Sequence, residues 1–271
     1  MFITRLISGV VLLAIMVAAM ILGGDVLYFL TALLAFIGLY ELYKTYNIHK
    51  NMLGYAGTIG AALYIVAVRV SAIGVADKEL NMAGLVLAFL LIMFVYVFSF
   101  PKYKADAAAF AVFGFVYVPV LMMFMYQVRM LSDGLFLIPL IFVSAWGNDT
   151  CAYCVGKLIG KHKMAPVLSP KKSIEGGIGG VAGAVILGLL YGYFLGFKLP
   201  SLANPMVSCA IMCGVGALIA VVGDLAASAI KRNQGVKDYG KLIPGHGGVM
   251  DRFDSVLFTA PVVYFLAVFI G

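Results

Sequence analysis

Residues 10–22 read Val-Val-Leu-Leu-Ala-Ile-Met-Val-Ala-Ala-Met-Ile-Leu, without one polar side chain. Apolar runs of comparable character lie at 6–22, 26–43, 52–75, 80–100, 107–128, 134–155, 174–197, 206–228 and 255–270. A helix rises about 1.5 Å per residue and a bilayer core is roughly 30 Å thick, so about 20 apolar residues cross it. Barrel strands instead alternate apolar and polar residues over about ten positions, a pattern that 10–22 lacks. The runs predict an all-α integral membrane protein of about nine transmembrane helices. Composition agrees: of 271 residues 63% are apolar and 11% charged, against about 25% charged in a soluble domain. Such a chain cannot cover a water-facing surface. A soluble fold, disorder, a disulfide-stapled secreted module and nucleic-acid binding through an exposed basic face are all excluded.

The net charge of +7 is informative through its distribution. If the loops alternate between two sides, the N-terminal side holds Arg5, Lys44, Lys50, Lys102, Lys104, the five lysines from Lys157 to Lys172, Lys231, Arg232, Lys237, Lys241 and Arg252. That is fifteen of the nineteen basic residues. The other side holds Lys78, Arg129 and Lys198, and Arg69 falls within a span. By the positive-inside rule the N-terminus is cytoplasmic and, with nine spans, the C-terminus is outside. The short basic start before the first run could serve a signal peptide, but no polar mature domain follows, so the first run reads as the first span. Two connections, 156–173 and 229–254, are longer and rich in charge and Gly, and both fall on the cytoplasmic side. Residues 1–133 thus read as a scaffold of five helices, and 134–271 as four helices with two charged loops forming the catalytic region. No internal repeat is evident, which weakens an inverted-repeat transporter reading.

Acids at membrane depth are costly unless paired, hydrated or metal-bound. Asp149 and Asp224 stand near the cytoplasmic ends of spans six and eight, and Asp251 and Asp254 open span nine. The bland alternative pairs each acid with a nearby Lys or Arg. Where span eight leaves the bilayer, Asp224, Ser228 and Lys231 are spaced i, i+4, i+7 and share a face. Beyond it come Arg232, Lys237 and the run His246-Gly247-Gly248, before Asp251 and Arg252. Glycines let backbone N–H groups approach an anion, and the start of span nine offers N–H donors and a positive dipole end. Carboxylates beside phosphate-binding groups suit Mg²⁺, which one or two Asp hold together with substrate phosphate and water. Ser169, Lys171, Lys172 and Ser173 in the other loop suit a second anionic group, although the two lysines also fit a positive-inside signal or contact with anionic headgroups. His246 stands between loop architecture and phosphate contact.

Other features point to packing. Cys151 and Cys154 form a C-x-x-C pair without a second pair or clustered His, and Cys209 and Cys213 read as small packing residues. Gly176 with Gly180, and Gly179 with Gly183, have the small-xxx-small spacing of close helix contact. His49 and His162 read as surface residues.

The stretch Ser228-Ala-Ile-Lys231-Arg232-Asn-Gln-Gly-Val-Lys237-Asp238-Tyr-Gly240-Lys-Leu-Ile-Pro244-Gly-His246-Gly247-Gly248-Val-Met-Asp251-Arg252-Phe-Asp254 resembles the signature of the CDP-diacylglycerol synthases, or phosphatidate cytidylyltransferases, in order and spacing throughout. Asp149-Thr150 with Tyr153, and Ser169-Pro170-Lys171-Lys172-Ser173 with Glu175-Gly176, also look like that family. Upstream of about residue 145 the likeness is one of hydropathy alone. Cys151 sits where the family usually has Gly, and Ala227 where many members carry Glu.

The resemblance implies conversion of CTP and phosphatidate to CDP-diacylglycerol and pyrophosphate, dependent on Mg²⁺. The expected catalytic residues are Asp224, Asp251, Lys231 and Arg232. Asp224 and Asp251 are the expected ligands of one or two metal ions, with Asp149 and Asp254 as further candidates. Ser169, Lys171, Lys172, Ser173, Ser228, Lys237, His246, Gly247, Gly248 and Arg252 are the expected substrate and phosphate contacts. The expected partners are CTP, phosphatidate and membrane lipids, with no nucleic acid; a homodimer in the cell's inner membrane is expected. A transporter lined by Asp149, Asp224 and Arg69 would need polar residues in both halves of the bilayer, and the outer half is nearly bare. A CTP-dependent polyprenol kinase would need the same nucleotide site with another acceptor, and the signature separates the two.

Overall fold

The computed structural model describes residues 2–77 and 79–270, with side chains from Ile7 onward. Lys78, and the side chain of Arg5, both counted in the charge distribution above, lie outside the described residues. Among those residues nine helices follow one another: α1 (Phe2–Leu22), α2 (Gly24–Thr45), α3 (Met52–Ala72), α4 (Glu79–Phe98), α5 (Ala105–Arg129), α6 (Gly134–Ile159), α7 (Ile174–Leu195), α8 (Pro205–Asn233) and α9 (Met250–Ile270). Helices α2 to α9 are long and apolar enough to cross a membrane, and α1 contributes the shorter described stretch Ile7–Leu22. The protein is an all-α, multi-pass membrane protein.

Helix ends depart from the apolar runs in a consistent direction. α8 continues to Asn233, which puts Lys231 and Arg232 in its last turn rather than in a loop. α9 begins at Met250, so Asp251 and Asp254 are helical, and α6 runs on to Ile159. Hydropathy ends where charge begins, but i to i−4 hydrogen bonding does not. Basic residues in the last turn also suit the negative end of the helix dipole. The loop 156–173 contains an antiparallel hairpin, β1 (Lys163–Ala165) with β2 (Ser169–Ser173), that no apolar alternation announces. Ser173 ends β2 and caps α7, its Oγ accepting the Gly176 N–H at 3.1 Å.

The chain forms two compact units, Met1–Gln127 with Val236–Asp251, and Val128–Gly235 with Arg252–Gly271. In the first, α3 and α4 approach closely at glycines: a Cβ at Gly60 would lie 2.7 Å from that of Ala88. Tyr43 is wedged against Gly57 and Gly114 and donates its hydroxyl to the Ala111 carbonyl at 2.6 Å. Arg69, which the sequence leaves inside a span, pairs with Asp25 and Tyr126 and lies over the rings of Tyr28 and Tyr126, joining α2, α3 and α5.

In the second unit α7 packs by its small residues. A Cβ at Gly180 would come within 2.9 Å of the Ala152 Cβ, one at Gly183 within 2.6 Å of the Cys151 Cβ, and one at Gly188 within 2.6 Å of the Cys209 carbonyl. The small-xxx-small spacing therefore does mark helix contact. Lipid tails are as apolar as side chains, so close backbone approach and dispersion supply the adhesion. Cys209 and Cys213 are buried, with free thiols. α6 carries a widened π turn at Val143–Gly147. Such a turn inserts one residue into the helical register, so the face on which the following Asn148 and Asp149 emerge cannot be read from 3.6-residue spacing.

Candidate active site

The second unit gathers three of the predicted acids. Asp224 of α8 forms an ion pair through Oδ2 with Lys172 of β2. Asp149 of α6 interacts electrostatically with Lys172, Asp224 and Arg252. Asp254 of α9 interacts with Asp224, Lys231 and Asp149, and its Oδ1 accepts the N–H of Ser255 at 2.8 Å. Three carboxyl groups from three helices thus neighbour one another, with Lys172 beside two of them and Arg252 and Lys231 beside one each. Like charges so placed repel unless cations intervene.

The remaining predicted residues of this unit divide. Ser228 follows Asp224 by one turn and is half-buried, while Lys171 and Arg232 are exposed. Ser169 pairs with Ala165 across the hairpin. Ser173 is occupied as the α7 cap, and a Cβ at Gly156 would lie 2.9 Å from its Oγ. Glu175, quoted above for the motif but not as a site residue, accepts the N–H groups of Lys161 at 3.1 Å and His162 at 3.2 Å. It also bonds the His162 Nδ1 at 2.6 Å. Through it the hairpin that carries Lys172 is pinned to the start of α7. His162 is otherwise exposed, as its surface reading expects.

Two buried polar residues adjoin the acids. Asn148, 1% exposed, precedes Asp149, and Ser255, 2% exposed, follows Asp254. Their side-chain polar atoms have no hydrogen-bond partner among the described residues.

The first unit holds the signature loop. Asp251 accepts two backbone N–H groups on one oxygen, from Tyr239 at 2.9 Å and Gly248 at 3.0 Å. Glu41 of α2, 5% exposed, accepts the N–H of Val249 on Oε1 at 3.1 Å and that of Met250 on Oε2 at 2.9 Å. The expectation that the start of α9 presents free N–H donors to a phosphate is therefore corrected. At Gly248, Val249 and Met250 the chain's own carboxyl oxygens take them. A helix N-terminus without such partners leaves several N–H groups unsatisfied, and a buried one costs about 1–3 kcal/mol. Ile243 and Gly247 pair across the turn, and Gly245 and Gly247 have φ of 76° and 89°, which glycine adopts without strain. His246 shares a 2.8 Å hydrogen bond with Ser8, whose hydroxyl donates to the Pro244 carbonyl at 3.0 Å. Lys237 is exposed.

Glu41 escaped the sequence reading because it lies upstream of every motif. Its only signal is a lone acid near the end of an apolar run. Among the described residues no three His, Cys, Asp or Glu side chains converge in a metal-ligand arrangement. Mg²⁺ does not require one, since it is ordinarily held by one or two carboxylates and completed by phosphate and water. The hard oxygens of Asp224, Asp149 and Asp254 fit that ion.

The sequence model of the Cytidylyltransferase family matches residues 3–270. Three relatives bear the name phosphatidate cytidylyltransferase. The protein of Staphylococcus saprophyticus is 34% identical over 265 residues, and that of Staphylococcus haemolyticus 33% over 265. The protein of Staphylococcus aureus strain COL is 33% identical over 270 residues, and each alignment covers 97% of this chain and 98% of the relative. The chain belongs to the cytidylyltransferase family.

Proposed function

We propose that the protein transfers the cytidylyl group of CTP to phosphatidate, giving CDP-diacylglycerol and pyrophosphate, with Mg²⁺, at the cytoplasmic face of the inner membrane. The observation that carries this reading is the cluster in which Asp149, Asp224 and Asp254 neighbour one another, with Lys172 beside Asp149 and Asp224, Arg252 beside Asp149 and Lys231 beside Asp254. The names of the aligned relatives and the full-length family match supply its substrate class. The nine-span count and the crowding of basic residues on one side of it support a cytoplasmic N-terminus and an external C-terminus.

Asp224 is the proposed principal metal ligand, with Asp149 and Asp254 beside it. Asp251, which accepts the N–H groups of Tyr239 and Gly248, is a further proposed ligand. Bound Mg²⁺ supplies charge neutralisation and Lewis acidity at the nucleotide phosphates. An oxygen of the phosphatidate phosphate, already anionic near neutral pH, attacks the α-phosphorus. The new P–O bond forms as the α–β P–O bond breaks, and the electron pair leaves on pyrophosphate. Little general-base work is needed, so positioning and charge stabilisation dominate. Lys231, Arg252 and Arg232 stabilise developing negative charge. Lys172, held by Asp224, and the neighbouring Lys171 offer ammonium groups to the anionic substrates. The lipid enters from the bilayer while CTP arrives from water, which accounts for acids at helix ends.

The test is purified protein with Mg²⁺, CTP and phosphatidate, following pyrophosphate and liponucleotide together. Both products should appear in equal amounts. Folded protein that forms neither, or that turns over CTP only with another lipid acceptor, overturns the reading.

A further inference from the structure

We infer that Glu41, on α2 and outside every motif of the family signature, is a positioning residue for the reaction: its carboxyl group clamps the first turn of α9 and so sets the aim of Asp251. The inference rests on the activity proposed above. Its two oxygens take the N–H groups of Val249 and Met250, residues 208 and 209 positions away in sequence. The carboxyl also occupies the space over two loop glycines. A Cβ at Gly240 or at Gly248 would run into it. The loop thus closes around Glu41 on both sides of its turn, and contact with that side chain leaves no room for a Cβ at either glycine.

The consequence for Asp251 follows from the chain. Gly248 donates to Asp251 and its neighbour Val249 donates to Glu41, so N–H groups that orient the two acids are adjacent on one backbone segment. Loss of Glu41 releases Val249 and Met250, and with them the Gly248 donor that holds one oxygen of Asp251. Met250 is itself fully buried and packs over Gly38 of α2, one turn before Glu41. A single helix therefore supplies both an apolar seat and a polar clamp to the start of α9. Glu41 touches no reacting atom in this account and acts through the loop.

The experiment compares wild type, Glu41→Gln and Glu41→Ala in liposomes, with three readouts: turnover of CTP and phosphatidate, hydrogen exchange of backbone amides in 239–250, and overall helicity. In Glu41→Ala, amide exchange at 248–250 should rise at least tenfold and kcat should fall roughly tenfold or more, with the KM for CTP changing less than about threefold. That split marks an interaction realised in the transition state rather than in binding. Glu41→Gln can accept only through its carbonyl oxygen, so it should fall between the two and keeps the test alive if the alanine variant does not fold. Unchanged exchange in both variants overturns the clamp. Raised exchange with unchanged kcat overturns the positioning role. If wild-type protein makes no liponucleotide, the proposed reaction fails on its own, and the exchange arm still decides whether Glu41 holds the loop.

Discussion

In the second unit Asp224 is met by a lysine, whereas in the first Asp251 is met by two backbone N–H groups. The two acids read alike in the sequence, each at a helix end beside basic residues. Their partners make them different objects. A backbone donor has a fixed direction and no net charge, so it ties an acid to the geometry of its loop. An ammonium on a flexible four-carbon stem can turn to another anion, and the acids around Asp224 crowd one another as well. Such an arrangement has a use for a cation.

The sharpest way to break the comparison is Asp224→Asn. It should lower turnover by at least about a thousandfold, roughly 4 kcal/mol of barrier, with thermal unfolding in detergent no worse than wild type, because it removes repulsion among the acids. Substantial residual turnover would remove Asp224 from the metal site. Asp251→Ala should lower turnover by at least about tenfold and, unlike Asp224→Asn, should also cost stability. It strands the Tyr239 and Gly248 N–H groups, so stability should fall by about 2–4 kcal/mol and exchange should rise in 239–248. A variant as stable as wild type would show that the loop does not depend on that carboxyl.

Lys231→Ala should reduce turnover about tenfold, or 1.4 kcal/mol, without change in the exchange of 239–250. An unchanged rate would place Lys231 outside the chemistry. The smallest effect belongs to His162→Ala. Glu175 keeps its backbone donors when the exposed imidazole is lost, so melting should be unchanged and the rate within about twofold, in line with the small worth of exposed pairs. A large loss of rate would mean that the hairpin bearing Lys172 depends on that ring.

Much of this molecule is legible from local chemistry. Thirteen apolar residues at 10–22 demand a helix in lipid, because every backbone group must then be satisfied within its own segment. The small residues of α7 announced a close contact, and Cys151 against Gly183 is one instance of it. Asp149, Asp224 and Asp254 were recognisable as costly acids, and the structure brings them among common neighbours. Boundaries were less legible. Lys231 and Asp251 look like loop residues to a hydropathy scale, yet helical hydrogen bonding runs through both. The hairpin at Lys163–Ala165 and Ser169–Ser173 is stitched by backbone groups and by Glu175, neither of which leaves an apolar pattern.

What no reading of the chain could supply is the partner of each polar group. Span number and chemical inventory follow from residue type and spacing, because the bilayer acts on each segment in the same way. Whether a carboxyl meets a lysine, another acid or a peptide N–H depends on which segments fold together. Glu41 and Met250 are 209 residues apart, and nothing near either one records the other. The register shift at Val143–Gly147 likewise turns Asp149 by an amount that regular periodicity does not contain. The lipid environment and the charge set were therefore settled by the amino acids one at a time. Which acid meets a lysine and which a peptide N–H waited on folding, since a hydrogen bond is a property of two places in the chain at once.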